Sequence, residues 1–327
     1  MTKYAHITGT GSAAPEKVLT NFDLEKMVDT SDEWITTRTG IKRRHIVENG
    51  LASSDLATEA AKIALAKADL KPEDIDLILL ATVTPDQPLP STACLVQDKL
   101  GAINAAVMDV VAACSGFIYG LTLARAMIQT EQAQTALVIG VETLSKLVNW
   151  QDRNTCVLFG DGCGAAVVQA SDKPGGILGT FMKSNGSLAN LLRIPAGGCK
   201  FPIDDINIIN GDRYIQMAGP EVYKNAVKAM EEAGATVLER TGLTGNDISL
   251  MIPHQANIRI IDSTAKRLGI PMERVFINIH EYGNTSAASI AIALNEALEK
   301  KIINKGDKIL LVAFGAGFTW GSLIVEF

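Results

Sequence analysis

The sequence predicts an α/β fold built from two similar halves. Apolar runs alternate with amphipathic stretches, and one order of elements occurs twice. The first half has strand-like runs at 76–83, 105–111 and 136–140. Each is short, apolar and bounded by turn residues, the pattern of a buried strand. Helical patterns over 54–67 and 115–128 alternate with them. Such alternation implies a mostly parallel sheet covered on both faces. In the second half a helical stretch at 219–241 leads through Asn246-Asp-Ile-Ser249 into 250–252, as Pro72-Glu-Asp-Ile-Asp76 leads into 77–80. The run 275–279 mirrors the strand ending at Val111, and a small-residue helix follows each. The run 308–313 mirrors 136–140, and the strand-like runs 165–168 and 322–325 close the two halves. The breaker-rich stretch Ser171-Asp-Lys-Pro-Gly-Gly176 places the junction, giving halves 1–172 and 173–327.

Composition narrows the function classes. The chain has 327 residues, 47% apolar and 20% charged, a globular mixture long enough for two cores or one large fused core. No uninterrupted apolar stretch is long enough to cross a bilayer, and the opening Met1-Thr-Lys-Tyr-Ala-His6 lacks the apolar run of a signal peptide. A soluble, cytoplasmic protein without membrane contact is expected. The net charge of −6 argues against general nucleic-acid binding. Local basic patches remain open: Arg38, Lys42, Arg43 and Arg44 form either a solvated surface or a binding patch. The five cysteines are odd in number and match no zinc spacing, so no metal site is expected. Reduced cytoplasmic thiols of this kind mostly serve as small buried residues.

Cys114 is the candidate nucleophile. It lies in Val111-Ala-Ala-Cys-Ser-Gly-Phe117, after a strand and before a helix, with small neighbours that leave room for a substrate. Unpaired N–H groups and the dipole of a helix N-terminus favour a thiolate, so a lowered thiol pKa is expected. The alternative is a buried structural cysteine. His254, in Met251-Ile-Pro-His-Gln-Ala-Asn257, falls at the C-terminal end of a second-half strand, the edge where ligands bind in open α/β sheets; the alternative is a loop histidine satisfied by the backbone. His6, His45 and His280 have no comparable setting. Asn284, in Tyr282-Gly-Asn-Thr-Ser-Ala-Ala-Ser289, takes the place of Cys114 in the repeat, although a helix N-cap would also suit it. Packing the two halves together would bring these three strand ends around one cavity. The glycine-rich segments 159–165 and 314–321 lack the spacing of nucleotide loops and read as tight turns. The second is a candidate for backbone donors to an oxyanion.

With these residues in place, the sequence resembles the β-ketoacyl-acyl carrier protein synthase III family, the thiolase-fold enzymes that initiate type II fatty-acid synthesis. The resemblance runs almost end to end. It is carried by Thr30-Ser-Asp-Glu-Trp-Ile-Thr-Thr-Arg-Thr-Gly-Ile41, Ala113-Cys-Ser-Gly116, Phe159-Gly-Asp-Gly162, Pro253-His-Gln-Ala-Asn257, Gly283-Asn-Thr-Ser286 and Phe318-Thr-Trp-Gly-Ser322. It implies a five-layered αβαβα fold, a homodimer and the triad Cys114, His254 and Asn284. By the same matching Trp34, Arg38 and Arg153 would hold the coenzyme A adenine, and Asn257 would line the pantetheine route. Lys224 and Arg259 would dock acyl carrier protein. The backbone N–H groups of Cys114 and Ala316 would form the oxyanion hole. An acyl-CoA primer and malonyl-acyl carrier protein would be the substrates, with no cofactor.

Three positions depart from the family pattern: Ala316 stands in a triple-glycine segment, Leu89 replaces a phenylalanine at the acyl pocket, and Pro220 replaces an asparagine. Competing readings are a thiolase-fold enzyme of a specialised pathway or one joining two long acyl chains, a cysteine hydrolase using Cys114 and His254, and a non-catalytic acyl-binding relative.

Overall fold

The computed structural model describes residues 3–48 and 50–327; Met1 and Thr2 of the opening segment lie outside the described residues. Strands of the two main sheets are numbered β1–β9 and helices of eight or more residues α1–α7. In chain order they are β1 (Tyr4–Ala13), α1 (Asp32–Thr39), α2 (Ser53–Lys67), β2 (Leu77–Ala81), α3 (Thr92–Leu100), β3 (Ala106–Val110), α4 (Gly116–Gln129), β4 (Thr135–Thr143) and β5 (Asp161–Ser171). After the turn that follows Ser171 come β6 (Gly176–Ser184), α5 (Gly219–Thr241), β7 (Leu250–Pro253), α6 (Ile258–Arg267), α7 (Ala288–Glu299), β8 (Lys308–Gly315) and β9 (Thr319–Glu326).

The strands form a five-stranded sheet in the order β1-β5-β4-β2-β3 and a four-stranded sheet in the order β7-β8-β9-β6. The mostly parallel sheet expected from the alternation is a mixed one. Pairs β4/β2, β2/β3 and β7/β8 are parallel, while β1/β5, β5/β4, β8/β9 and β9/β6 are antiparallel. Of the antiparallel pairs only β8/β9 is joined by a short turn; β1 pairs with β5 and β6 with β9 across most of the length of a half, which an alternation count does not register.

Alternating strand residues face opposite sides, and each side has a separate core. Leu77 and Leu79 of β2 join Leu250 and Ile252 of β7 around α4 and α7, whose Phe117, Leu121, Ile290 and Leu294 fill the space between the sheets. Ile78 and Leu80 face outward onto α2 and α3. Leu310 and Val312 of β8 face outward onto α5 and α6. The result is five layers, α2/α3, sheet, α4/α7, sheet, α5/α6, as the resemblance implied.

The glycine-rich segment 159–165 is not a tight turn. Most of it is strand β5. A Cβ placed on Gly164 would lie 2.5 Å from the Cβ of Ala291, so the missing side chain lets α7 lie directly on the sheet. The predicted strand at 275–279 shrinks to one parallel bridge between Met251 and Val275. The buried Gln255 side chain takes over: its Oε1 accepts the N–H groups of Asn278 and Ile279, and the chain turns away into a short helix.

Strand β3 was expected to be buried, yet Met108 is 43% exposed and Val111, just past its end, is 77% exposed. It is the edge of its sheet. The charged run 38–44 also divides. Arg44 is fully buried, bonding the carbonyls of Leu19 and Val157 and the Asn21 side chain, so it is a structural clamp. Arg43 pairs with Glu281, and Lys42 and Arg38 are exposed. Pro220 sits in the first turn of α5, where the missing N–H is tolerated.

Candidate active site

Cys114 lies in a 3-10 turn, Ala113–Ser115, between β3 and α4. Ala113 has φ 47°, a left-handed conformation uncommon for alanine, so the turn is held under local strain. Its tethers come from the other half of the chain. The Thr319 hydroxyl donates to the Ala112 carbonyl at 2.8 Å, and the Ser115 hydroxyl donates to the Thr319 carbonyl at 3.0 Å. A Cβ on Gly315 would fall 2.6 Å from the Cys114 nitrogen, so glycine there allows the β8–β9 turn to reach the nucleophile. Ala316 follows, half-buried, and is not among the residues with positive φ, so its backbone accommodates a side chain.

His254 directly follows β7, and its N–H donates to the Val312 carbonyl at 2.8 Å. Its ring is buried, with Nδ1 2.6 Å from the Ser289 hydroxyl. That hydroxyl also accepts the Gln255 N–H at 3.3 Å. With one acceptor site used, its proton is available to Nδ1, an arrangement that places the ring proton on Nε2. Burial pushes the imidazole pKa down to about 3, so the ring is neutral at physiological pH.

Asn284 is buried and is not a helix cap, since α7 begins at Ala288. Its backbone bridges to Phe159, its N–H donates to the Leu158 carbonyl, and its carbonyl accepts the Gly160 N–H. Its Oδ1 accepts the Ser286 N–H at 2.9 Å, which fixes the amide and leaves Nδ2 as a free-facing donor. The Ser286 hydroxyl donates to Glu142 Oε1 at 2.9 Å. The segment 284–289 is thus a common floor: it carries Asn284, whose amide Ser286 fixes, and it holds His254 through Ser289.

The expected lowering of the thiol pKa is reversed. Burial first, opposed by the nearby Ser286 hydroxyl and reinforced by the negative charge of Glu142, pushes Cys114 up to about 12. The desolvation of the sulfur outweighs the turn's N–H groups. Of the other cysteines, Cys156 and Cys163 are buried, Cys94 is half-buried and Cys199 is exposed.

The peripheral residues fall into groups. Trp34 on α1 is flanked by two guanidinium groups, Arg38 at 4.7 Å and Arg153 at 5.2 Å from its ring centroid. Arg153 also bonds the Asp29 carbonyl and pairs with its carboxylate. Asn257 caps α6: its Oδ1 accepts the Arg259 N–H and its Nδ2 donates to the Arg38 carbonyl, tying α6 to α1. Both ends of its side chain are already engaged. Arg259 is exposed with its guanidinium over the Tyr223 ring at 5.3 Å, and exposed Lys224 is the next residue on α5. Leu89, 84% exposed, stands in the loop between β2 and α3.

The sequence reading assigned nothing to Ser286, Ser289, Gln255, Thr319 or Glu142. The serines and Gln255 lie inside quoted motifs but look like ordinary polar loop residues. Glu142 carried a signal: a carboxylate in an otherwise apolar strand run, Ala136-Leu-Val-Ile-Gly-Val-Glu142.

Comparison with known proteins agrees with this architecture. Models of 3-oxoacyl-(acyl-carrier-protein) synthase III match residues 108–186, and of its C-terminal region residues 238–327. A β-ketoacyl-(acyl-carrier-protein) synthase III of Caldanaerobacter subterraneus subsp. tengcongensis is 58% identical over 98% of this chain and 97% of its own. One from Symbiobacterium thermophilum is 54% identical, covering 98% and 97%. The crystal structure of the 3-oxoacyl-(acyl-carrier-protein) synthase III of Aquifex aeolicus VF5 superposes with a TM-score of 0.91 at 51% identity, covering 99% of this chain and all of that one.

Proposed function

The chain belongs to the 3-oxoacyl-(acyl-carrier-protein) synthase III family, and on that premise we propose that Cys114 carries the acyl group while His254 and Asn284 stabilise the enolate. The enzyme is an acyl-transferring condensing enzyme that joins an acyl-CoA primer to malonyl-acyl carrier protein in the initiation of fatty-acid synthesis. In our reading the Cys114 thiolate attacks the acyl-CoA thioester, and the N–H groups of Cys114 and Ala316 hold the tetrahedral oxyanion while coenzyme A leaves as its thiolate. The malonyl thioester then presents its carbonyl to His254 Nε2–H and Asn284 Nδ2. Loss of carbon dioxide forms an enolate between those donors. Its carbon attacks acyl-Cys114, releasing the β-ketoacyl product and the thiolate. The bond-making electrons come from the thiolate and the departing carboxylate, so the scheme uses no cofactor or metal.

One observation carries this reading: the two donors are fixed with their protons facing outward, Asn284 by the Ser286 N–H and His254 by Ser289, and the imidazole is neutral. A hydrolase general base would need an imidazole that accepts a proton near pH 7, and this one is held far below that.

Trp34, Arg38 and Arg153 are proposed to sandwich the adenine. Asn257 is proposed to act along the pantetheine route, chiefly by fixing the Arg38 backbone. Lys224 and Arg259 are proposed to receive the acidic carrier. The exposed β3 edge and Leu89 support a homodimer in which Leu89 closes the partner's acyl pocket; sedimentation showing only monomer at working concentration would remove that assignment. Among the described residues no helix is long and apolar enough to cross a membrane, which accords with the proposed cytoplasmic location. We propose the chain's two functional halves as 1–172, supplying the nucleophile, and 173–327, supplying the donors.

The experiment is intact-protein mass after mixing with a panel of acyl-CoA thioesters. Wild type gains one acyl group and discharges it with malonyl-acyl carrier protein as a β-ketoacyl product. Cys114→Ala gains none, and its condensation rate falls at least about 10³-fold. Net hydrolysis without carbon–carbon bond formation would refute the proposal.

A further inference from the structure

The two backbone donors proposed for the oxyanion belong to opposite halves of the chain, yet they must keep one fixed separation. The N–H of Cys114 lies in the turn between β3 and α4, and that of Ala316 in the turn between β8 and β9. One side chain bridges the two turns. The Thr319 hydroxyl has a single proton and lies between two carbonyl oxygens, Ala112 at 2.8 Å and Ala316 at 3.3 Å. The Ala112 carbonyl also accepts the Ser115 N–H at 3.1 Å, the bond that closes the 3-10 turn around Cys114. The Ala316 carbonyl belongs to the proposed oxyanion donor itself. A return tether runs from the Ser115 hydroxyl to the Thr319 carbonyl at 3.0 Å.

The bridging side chain is firmly placed. Thr319 opens β9, where it pairs with Gly315 of β8 on one side and with Ser184 of β6 on the other. A β-branched residue has few χ1 choices. A Cβ on Gly317 would lie 3.2 Å from Thr319 Cγ2, so the methyl packs against that glycine while the hydroxyl meets the two carbonyls. The margin for movement is small. A Cβ on Gly315 would lie 2.6 Å from the Cys114 nitrogen and 3.2 Å from the Ala113 Cβ, so the two turns touch backbone to backbone. Ala113, at φ 47°, holds a left-handed conformation that persists only where its surroundings impose it.

We infer that Thr319 is a positioning residue for acyl transfer, whose hydroxyl sets the distance between the Cys114 and Ala316 N–H groups. Both groups must point at one oxygen when the thioester carbonyl becomes tetrahedral, and such donors act only within hydrogen-bond reach of it. The thiolate adds to the carbonyl carbon, and the carbonyl electron pair moves onto the oxygen between the two N–H groups. Its return expels the coenzyme A thiolate. Thr319 forms no covalent bond in this step and moves no proton. The same donors serve again when the enolate carbon attacks acyl-Cys114, so one hydroxyl affects both stages. Valine has nearly the shape of threonine, and at this position it would leave both carbonyls without their shared donor.

The inference rests on Cys114 and Ala316 acting as proposed. Its test compares two reactions of the same sulfur in wild type, Thr319→Val and Thr319→Ser, with thermal melts to establish folding. One is single-turnover loading from the acyl-CoA that wild type accepts best, followed by intact mass. The other is alkylation by iodoacetamide, read on the peptide that contains Cys114 because Cys199 is exposed as well. Loading passes through an oxyanion, and displacement at the saturated carbon of iodoacetamide does not. Thr319→Val loads at least about tenfold more slowly while its alkylation stays within about twofold of wild type. Thr319→Ser keeps the hydroxyl and loads within about threefold of wild type. A hydroxyl that only holds the fold would slow both reactions together. That outcome, unimpaired loading in Thr319→Val, or no recovery in Thr319→Ser overturns the inference. Should Thr319→Val not fold, Ser115→Ala, which removes the return tether, is judged by the same ratio of loading to alkylation. A wild type that is alkylated yet loads from no acyl-CoA overturns the proposed function and the inference with it; a wild type that loads beside an unimpaired Thr319→Val overturns the inference alone.

Discussion

The candidate residues fall into two regions built on opposite terms. In the first, Asn284, Ser286, Ser289, His254 and Glu142 are buried, and each side chain has a named partner within the chain. The second region is exposed: Leu89, Val111, the Arg38 and Arg153 guanidinium groups, Lys224 and Arg259. A buried polar atom must be satisfied internally or cost several kcal/mol, so the chain itself fixes the floor. An exposed charge is satisfied by water until a ligand or partner displaces it, so the rim is free to be completed by something else. On the proposed function, geometry for chemistry is held in the first region and recognition is left to the second.

If this division is right, changes to the floor act on rate and changes to the rim act on affinity. The largest effect is expected at the donors. Asn284→Ala and His254→Ala each lower decarboxylative condensation by on the order of 10²–10³-fold, the usual cost of one fixed donor. Both still gain an acyl mass from acyl-CoA, which separates their step from that of Cys114. Loss of loading in both would mean that floor and nucleophile cannot be separated.

Next is the pH dependence of stability. The folded pKa of His254, about 3, lies below the ordinary 6.5. Between those values the unfolded chain binds a proton that the folded chain does not, so stability falls as pH is lowered through that window. The contribution is on the order of a few kcal/mol, and urea melts at pH 7 and pH 4 should show His254→Asn losing less stability on acidification than wild type.

The smallest effects are expected at the rim. Trp34→Ala should raise KM for acyl-CoA about tenfold with kcat nearly unchanged. Arg259→Glu should raise KM for the acyl carrier a few-fold, less at high salt. A kcat loss at either position as large as that at Asn284 would erase the distinction between floor and rim.

Much of this was legible in the chain. Periodicity located the strands at 77–81, 135–143 and 308–315 and the helix Gly219–Thr241, because burial on one or both faces dictates which positions are apolar. Strand-end position and residue chemistry singled out Cys114, His254 and Asn284. Local pattern misled where a distant group intervened. Gln255 replaced the ladder expected at 275–279, α7 drew the glycines of 159–165 into a strand, and Arg44 was pulled inward by Leu19, Asn21 and Val157. The thiol pKa failed for the same reason: a helix N-terminus is visible in sequence, whereas the burial around the sulfur is not.

By itself the sequence carried the duplicated α/β plan, through residue type, order and period, and through its resemblance the family; it also singled out the three groups proposed to react. Only the tertiary structure decided which protons those groups hold. That depends on single hydrogen bonds, Ser289 to His254, Ser286 to Asn284 and Ser286 to Glu142, made between residues 2 to 144 positions apart. Their direction is set by which buried donor meets which acceptor, and a linear pattern does not carry that information.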